Sequence, residues 1–458
     1  SFYAFSIWIG LGVMWLVDLL NKVMKKTPAS ITAFVLSFLL VPALMASENW
    51  DDHDRSGSFI AVDMASNYLN SCEEDAILFT NGDNDTFPLW YAQEVEGIRT
   101  DVRVANLSYL RAGWYIEQLA RKAYDSDPIP IKLKPEQYLK GTRDVVPVMN
   151  RIDRFVDIRE VMDFVRSDDS KTKMTSPFDR NQRISYMPTK KYFLPIDSAE
   201  IIEKGVLEPK YADRMVDEIR WTANSSLMLK DGLIVHELMA VNDWERPIYW
   251  SVTVGSSKYF NLDSYFKMDG LAYRITPVKV ENRDGYYGWI QSDNMYDLLV
   301  NKFKWGGVED TSVYMNENSR RMYSNSRSFF GRLAGELIKE GKEDSARLVM
   351  ERSLEKLPHS RIQFSFPMLS FVENYIALGD KEKAQDILNK LGTTSVSNLE
   401  YYRDVSRKDM FGMLDLIRRD LYIVQQLSVI ARNNGLSEEA AFYQGKMQEF
   451  MDLFARMG

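Results

Sequence analysis

Ala76-Ile-Leu-Phe-Thr80 runs straight into Asn81-Gly-Asp-Asn-Asp-Thr86 and then into Phe87-Pro-Leu-Trp-Tyr-Ala-Gln-Glu94-Val-Glu-Gly97. A short apolar run bounded by Asp75 and Asn81 reads as a buried strand. Pro88 to Glu96 reads as a helix stopped by Gly97, and Val102-Arg-Val-Ala-Asn-Leu107 as a second strand, after which Gly113 to Ala123 reads as another helix. A strand, a helix and a strand joined by so short a crossover make a βαβ unit. Such a unit closes right-handed and leaves the loops after its strand C-termini as the usual ligand edge. The fold is expected to be α/β here, with Asn81 to Thr86 at that edge.

Within this loop, Asp83 and Asp85 form an Asp-x-Asp pair with Asn81, Asn84 and Thr86 beside it. Their oxygens suit a hard divalent cation, for which Asp83 and Asp85 are the metal candidates, or the hydroxyls of a sugar. Turns and helix N-caps favour the same residue types, and Thr86 two residues before Pro88 fits a capped helix start. The residues alone leave both readings open. Short strands at Arg183 to Pro188, Tyr192 to Pro195, Pro247 to Val254 and Leu271 to Pro277 then alternate with helices at Ala199 to Lys204, Ser226 to Val241 and Asn294 to Trp305, which extends the α/β domain. His236, on an apolar helix face beside Glu237, reads as a satisfied core histidine. Arg246, in Trp244-Glu-Arg-Pro-Ile-Tyr-Trp250, is a candidate anion contact.

Upstream the chain is apolar. Phe2 to Leu20 carries one charge, Asp18, and Pro28 to Ser47 carries none. At ~1.5 Å per residue, either stretch spans a hydrocarbon core of ~30 Å. Lys22, Lys25 and Lys26 lie in the connection, so the positive-inside rule puts that loop in the cytoplasm and everything after Ser47 outside. The second helix then delivers Glu48-Asn-Trp-Asp-Asp-His-Asp-Arg-Ser-Gly57 to the outer surface. Asp51, Asp52, His53, Asp54 and Arg55 could supply metal ligands, a carboxylate-oriented base, substrate contacts, or a hinge beneath the membrane segment. The sequence starts at Ser1 inside an apolar helix and without an initiator Met, so earlier membrane segments are expected.

In the last third, Gly-x4-Ala recurs at Gly341/Ala346, Gly379/Ala384 and Gly435/Ala440, and Ala334, Ser353 and Pro358 fall at tetratricopeptide spacings around the first copy. The architecture expected is α/β plus all-α in three parts. Residues 1–47 are two transmembrane helices ending a larger membrane domain, 48–318 an extracytoplasmic α/β domain, and 319–458 tetratricopeptide-like helical repeats that serve as a binding groove or as a buttress. A net charge of -8 and a pI of about 5.3 give no electrostatic footprint for nucleic acid. The single cysteine, Cys72, excludes an internal disulfide. Ten Trp, 24 Tyr and 23 Phe suit carbohydrate or lipid-headgroup contact and also fill cores.

Asn49-Trp-Asp-Asp-His-Asp-Arg55, the stretch Ala76 to Gly97, Asp101-Val-Arg-Val and Arg246-Pro-Ile-Tyr249 together resemble a bacterial membrane family, formerly of unknown function. That family is related to the animal transmembrane O-mannosyltransferase of plexin-type domains, and the resemblance is most specific over residues 48 to 110. It implies a type C glycosyltransferase architecture, in which many membrane helices precede an extracytoplasmic α/β and repeat region. It further implies a polyprenyl-phosphate sugar as donor, Ser or Thr of exported proteins as acceptor, membrane lipid as surroundings, and a multi-pass inner-membrane protein with its large C-terminal portion in the periplasm. The essential acidic residue of that architecture lies in the first extracytoplasmic loop, upstream of Ser1, so no catalytic residue is carried over. Asp51 to Arg55, Asn81, Asp83, Asn84, Asp85, Thr86 and Arg246 are then substrate-contact candidates. The competing class is a non-catalytic envelope scaffold that binds partners through its repeats.

Overall fold

A computed structural model describes residues 2–177, 179–282 and 286–457. Contacts divide the chain into two units: Ser1–Ser58 with Asp310–Asn316, and Phe59–Glu309 with Glu317–Gly458.

The first unit is built on a helical hairpin. Helix α1 (Phe2–Leu20) packs on α2 (Lys26–Phe38), and α2 continues through a π turn at Leu39–Ala43 into α3 (Leu44–His53). The π turn coincides with Pro42, whose ring and missing N–H cannot continue a regular α ladder. Ala29 and Ala33, one turn apart, are fully buried, small enough for close helix approach. Trp8 and Phe34 point outward, 70% and 67% exposed. Both helices are long and apolar enough to cross a membrane, and their outward apolar faces fit lipid.

The second unit is organised around a six-stranded mixed sheet: β1 (Ile77–Thr80), β2 (Arg103–Asn106), β3 (Ile248–Ser251), β4 (Phe266–Asp269), β5 (Ala272–Ile275) and β6 (Trp289–Ile290), in the order β6-β4-β5-β3-β1-β2. β1 runs parallel to both neighbours, with Ile77 opposite Arg103 on one side and Ile248 on the other. Every residue of β1, β2 and β3 is buried, which is why β1 and β3 read as nearly continuous apolar runs and not as alternating ones, while β2 adds a buried Arg103 and Asn106. Helix α4 (Ile60–Asn70) packs against α5 (Asp83–Glu94), the crossover of the predicted βαβ unit. α6 (Gly113–Leu119) follows β2.

A long insertion separates β2 from β3. It holds a three-stranded sheet (Val156–Asp157, Lys191–Pro195, Glu218–Thr222), α7 (Ile158–Arg166) and α8 (Lys230–Val241). α8 is buried from Lys230 to Ala240 and carries three buried charges. Lys230 donates to the carbonyls of Tyr138 (2.7 Å) and Leu139 (3.2 Å) and pairs with Asp144. Asp231 pairs with Lys258, and Glu237 with Arg166. His236 is the core histidine expected. Trp221 Nε1 donates to its Nε2 (3.2 Å), its Nδ1 lies 2.8 Å from the Gly232 carbonyl, and burial pulls its pKa down to about 4, so the ring is neutral with the proton on Nδ1.

The C-terminal part is helical: α9 (Glu317–Lys339), α10 (Glu343–Lys356), α11 (Met368–Ala377), α12 (Lys381–Asp404), α13 (Leu414–Asn433) and α14 (Ser437–Met457). Gly341, Gly379 and Gly435 take left-handed φ of +74°, +79° and +75° just after a helix, the conformation that ends helices without a Cβ penalty. The paired Ala346, Ala384 and Ala440 are buried near the start of the next helix. The Gly-x4-Ala recurrence is therefore a repeated stop and restart, on helices of unequal length. Phe329, Leu333, Val372 and Leu427 all face the interior. α9 is fastened to the sheet through Arg332, which donates to the carbonyls of Tyr287 (3.0 Å) and Gly288 (2.6 Å) beside β6.

Candidate functional site

Because β1, β2 and β3 are parallel, their C-termini share one edge of the sheet, and five of the sequence candidates gather there. Gly82 has φ +107°, and a Cβ on it would meet nothing within 4 Å, so the turn needs glycine for its dihedral and not for space. α5 starts at Asp83, five residues earlier than the sequence suggests. Thr86 is accordingly not an N-cap: it lies one turn inside the helix, where its Oγ1 donates to the Gly82 carbonyl (2.6 Å). It also lies 2.7 Å from Thr80 Oγ1 and accepts from Asn106 Nδ2 (2.9 Å), which ties the ends of β1 and β2 to the helix start.

The two aspartates differ in character. Asp85 Oδ2 accepts from Thr253 Oγ1 (2.7 Å), Ser251 Oγ (3.2 Å) and the Asn81 N–H (3.4 Å), so it clasps the end of β3 to the loop. Its negative charge adds to burial in raising the Tyr68 hydroxyl pKa, which keeps that phenol protonated. Asp83 is exposed, and its Oδ1 accepts from the Tyr109 hydroxyl (3.0 Å), an interaction that raises the Tyr109 pKa. Asn84 is exposed, and Asn81 Oδ1 accepts from Ser108 Oγ (3.1 Å). The edge thus has a self-satisfied floor (buried Thr80, Thr86 and Asn106 with half-buried Asp85) and a rim of half-buried Asn81 with exposed Asp83 and Asn84.

A divalent cation does not fit this arrangement. Asp83 and Asp85 turn to different partners, and among the described residues no three His, Cys, Asp or Glu side chains come together as a metal set.

Arg246 does not join the site. It lies at the N-terminal end of β3, 7% exposed. There it donates to the carbonyls of Asp75 (2.7 Å), Asp127 (2.8 Å) and Pro128 (3.2 Å) and to Ser126 Oγ (3.0 Å), and it pairs with the Asp75 carboxylate. With its donors spent on the protein, it is a clamp and not an anion contact. Asp51 to Arg55 belong to the other unit. The side chains of Asp51 and Asp52 lie outside the described residues. His53 Nδ1 lies 2.8 Å from the Asn49 carbonyl, Asp54 caps a turn by accepting from the Ser56 N–H (2.7 Å), and the Arg55 guanidinium sits 4.5 Å over the Tyr314 ring. The Ser56 hydrogen bonds hold the Asp54 carboxyl below its ordinary range.

Sequence reasoning missed Asn106, Tyr109, Ser251 and Thr253. The available signal was positional: each polar residue stands at or just past the C-terminus of a strand parallel to β1, where ligand edges are built.

A family model described as TMEM260-associated domain 2 matches residues 61–294, about half of the chain, and contains the whole of this edge. A relative from Mus musculus, "Protein O-mannosyl-transferase TMEM260", is 30% identical over 112 residues, which are 24% of this chain and 16% of the relative. The chain therefore aligns with only a small part of that relative's length. No solved structure matches. With half its residues under one family description, and the βαβ edge inside the matched range, the chain belongs to the TMEM260-associated domain 2 family and is related to the O-mannosyltransferases.

Proposed function

We propose that this chain is the extracytoplasmic part of a membrane glycosyltransferase that moves mannose or a similar sugar from a polyprenyl-phosphate donor to Ser or Thr of exported proteins. The observation that carries the reading is the rim of Asn81, Asp83 and Asn84 at the C-terminal edge of three parallel strands, inside the region shared with a family named for an O-mannosyltransferase relative. Acceptor hydroxyls need hydrogen-bond partners of this kind, and a carboxylate can orient them. Charge assigns this edge to the acceptor or sugar and not to the lipid phosphate. Helix N-termini attract phosphate through their dipole, but here Asp83 and Asp85 occupy the first turn of α5 and oppose an anion.

The test compares envelope glycoproteins of cells carrying the wild-type gene, no gene, Asp83→Asn or Asp85→Asn. Asp83→Asn should lose glycosylation at least tenfold with unchanged thermal stability, whereas Asp85→Asn should lower stability by about 1–3 kcal/mol through its unpaired hydroxyls. Glycopeptides that persist without the gene overturn the reading.

The lysine-flanked turn between α1 and α2 supports a cytoplasmic loop with the second unit outside. An impermeant thiol reagent applied from outside should leave Lys25→Cys unlabelled, and labelling reverses the orientation. The buried alanines after Gly341, Gly379 and Gly435 support a tetratricopeptide-like array, and the Arg332 anchor of α9 favours its use as a buttress over a free groove.

A further inference from the structure

An aromatic row runs beside the Asp83 rim. Phe87 and Trp90 lie 5.6 Å apart at 29°, Trp90 and Tyr109 6.1 Å apart at 26°, and Tyr109 and Trp114 6.4 Å apart at 41°. Phe87 is 47% exposed and Trp114 62% exposed. Trp114 is held in place from below. A Cβ on Gly113 would lie 2.7 Å from the Tyr138 carbonyl oxygen, so α6 starts hard against that backbone. Buried Tyr115 meanwhile accepts from the Asn106 N–H (3.0 Å) and donates to the Val104 carbonyl (3.3 Å), which locks α6 to β2. Exposing rigid aromatic surface costs solvation energy, and such patches mark binding sites.

We propose that this row is a stacking shelf for a hexopyranose ring. A pyranose has a face of C–H groups that packs on the electron-rich face of an aromatic ring, and a rim of hydroxyls that each donate and accept. The shelf offers both halves of that recognition. Trp114, the most exposed ring of the row, supplies the apolar surface, and beside Tyr109, whose hydroxyl binds Asp83, the Asp83 Oδ2, the Asn84 side chain and Asn81 Nδ2 have no hydrogen bonds among the described residues. A lipid headgroup is disfavoured. Its phosphate requires a cation, while the rim is acidic, with Asp83 and Asp85 in the first turn of α5. The shelf makes the proposed transferase one that holds acceptors already bearing sugar. Only that use rests on the transferase reading; sugar binding does not.

The detergent-solubilised chain is titrated with methyl hexopyranosides and with one peptide in hexosylated and bare forms, read by tryptophan fluorescence and saturation-transfer NMR. The expected result is saturable binding of glycosides, at least tenfold tighter binding of the hexosylated than of the bare peptide, a tenfold or greater loss in Trp114→Ala and Asp83→Ala, and retention in Trp114→Phe, all with unchanged thermal unfolding. Equal binding by wild type and Trp114→Ala overturns the proposal, as does equal affinity for the two peptides. Trp114-dependent adsorption to phospholipid vesicles without sugar binding overturns it in favour of a membrane contact. Sugar binding in a protein whose deletion leaves the envelope glycopeptides unchanged would keep the shelf and discard the transferase.

Discussion

Glu237→Ala is expected to destabilise the second unit by about 2–4 kcal/mol, because it takes the acceptor from the Lys132 and Leu133 amides and one of two carboxylate partners from the largely buried Arg166, which keeps only the exposed Asp163. Glu237 is fully buried in α8. Its Oε1 accepts from the N–H groups of Lys132 (2.7 Å) and Leu133 (3.2 Å), and its Oε2 from Arg166 Nη1 (2.5 Å) at the end of α7. One carboxylate thus joins α8, an extended backbone segment and a second helix. Breaking such a pair costs far more than never having built it, so the double variant Glu237→Leu with Arg166→Met should recover part of the loss. Denaturant unfolding of wild type, Glu237→Leu, Arg166→Met and the double variant, with Glu237→Ala beside them, measures it. A cost below about 1 kcal/mol for Glu237→Ala would mean that water replaces the carboxylate.

Arg327→Met should cost a comparable ~3–5 kcal/mol and open the segment from Pro358 to Phe366 to protease. Arg327 is fully buried in α9. It donates to the carbonyls of Leu357 (2.7 Å), Ile362 (2.6 Å) and Gln363 (3.0 Å), and its guanidinium lies 4.9 Å over the Phe364 ring. Burial opposes its charge and lowers its pKa to about 9. The carbonyls answer that penalty, and Leu357, at the C-terminus of α10, adds the negative end of a helix dipole. Methionine matches the volume and leaves three carbonyls orphaned. Arg327→Lys retains the cation but cannot span three acceptors in a plane, so it should fall between the two. Unchanged proteolysis of Arg327→Met would show that the turn holds its shape through Phe364 and its backbone alone.

What the sequence disclosed follows from what was buried. β1 and β3 were readable because their side chains are almost all apolar and fully inside, and β2 and β5 because a single buried arginine, Arg103 or Arg274, stands among apolar neighbours. β4, Phe266-Lys-Met-Asp269, was not read. Lys267 and Asp269 are as buried as their neighbours, 4% and 1% exposed, and neutralise each other at 3.1 Å, a pairing that only the tertiary fold reveals. The helix expected from Ser226 starts at Lys230 because Leu227–Leu229 pairs with Val145–Pro147 across a long separation. At the site, the composition of Asn81 to Thr86 disclosed a polar turn at a strand end. It could not divide the aspartates into one clasp and one exposed rim group held only by Tyr109, since the hydroxyls that claim Asp85 come from Ser251 and Thr253. Arg246 resembled a ligand contact because an arginine beside a strand gives no sign of the carbonyls waiting for it. The aromatic shelf was hidden for a similar reason: Phe87, Trp90, Tyr109 and Trp114 become neighbours only when α5 and α6 lie against the same strands.

The place of β3 also imposes an order on biosynthesis. β1 is hydrogen-bonded on one side by β2, which follows it closely, and on the other by Ile248–Ser251, which the ribosome supplies only after the whole insertion. Loop-closure entropy grows slowly with length, so the finished protein loses little stability to that delay. The nascent chain bears it instead: until residue 251 emerges, one flank of β1 is an open strand edge of apolar residues, the kind that pairs with other chains. Ser251 also carries one of the hydroxyls that hold Asp85, so the edge that bears the candidate site is completed by the same late event that closes the sheet.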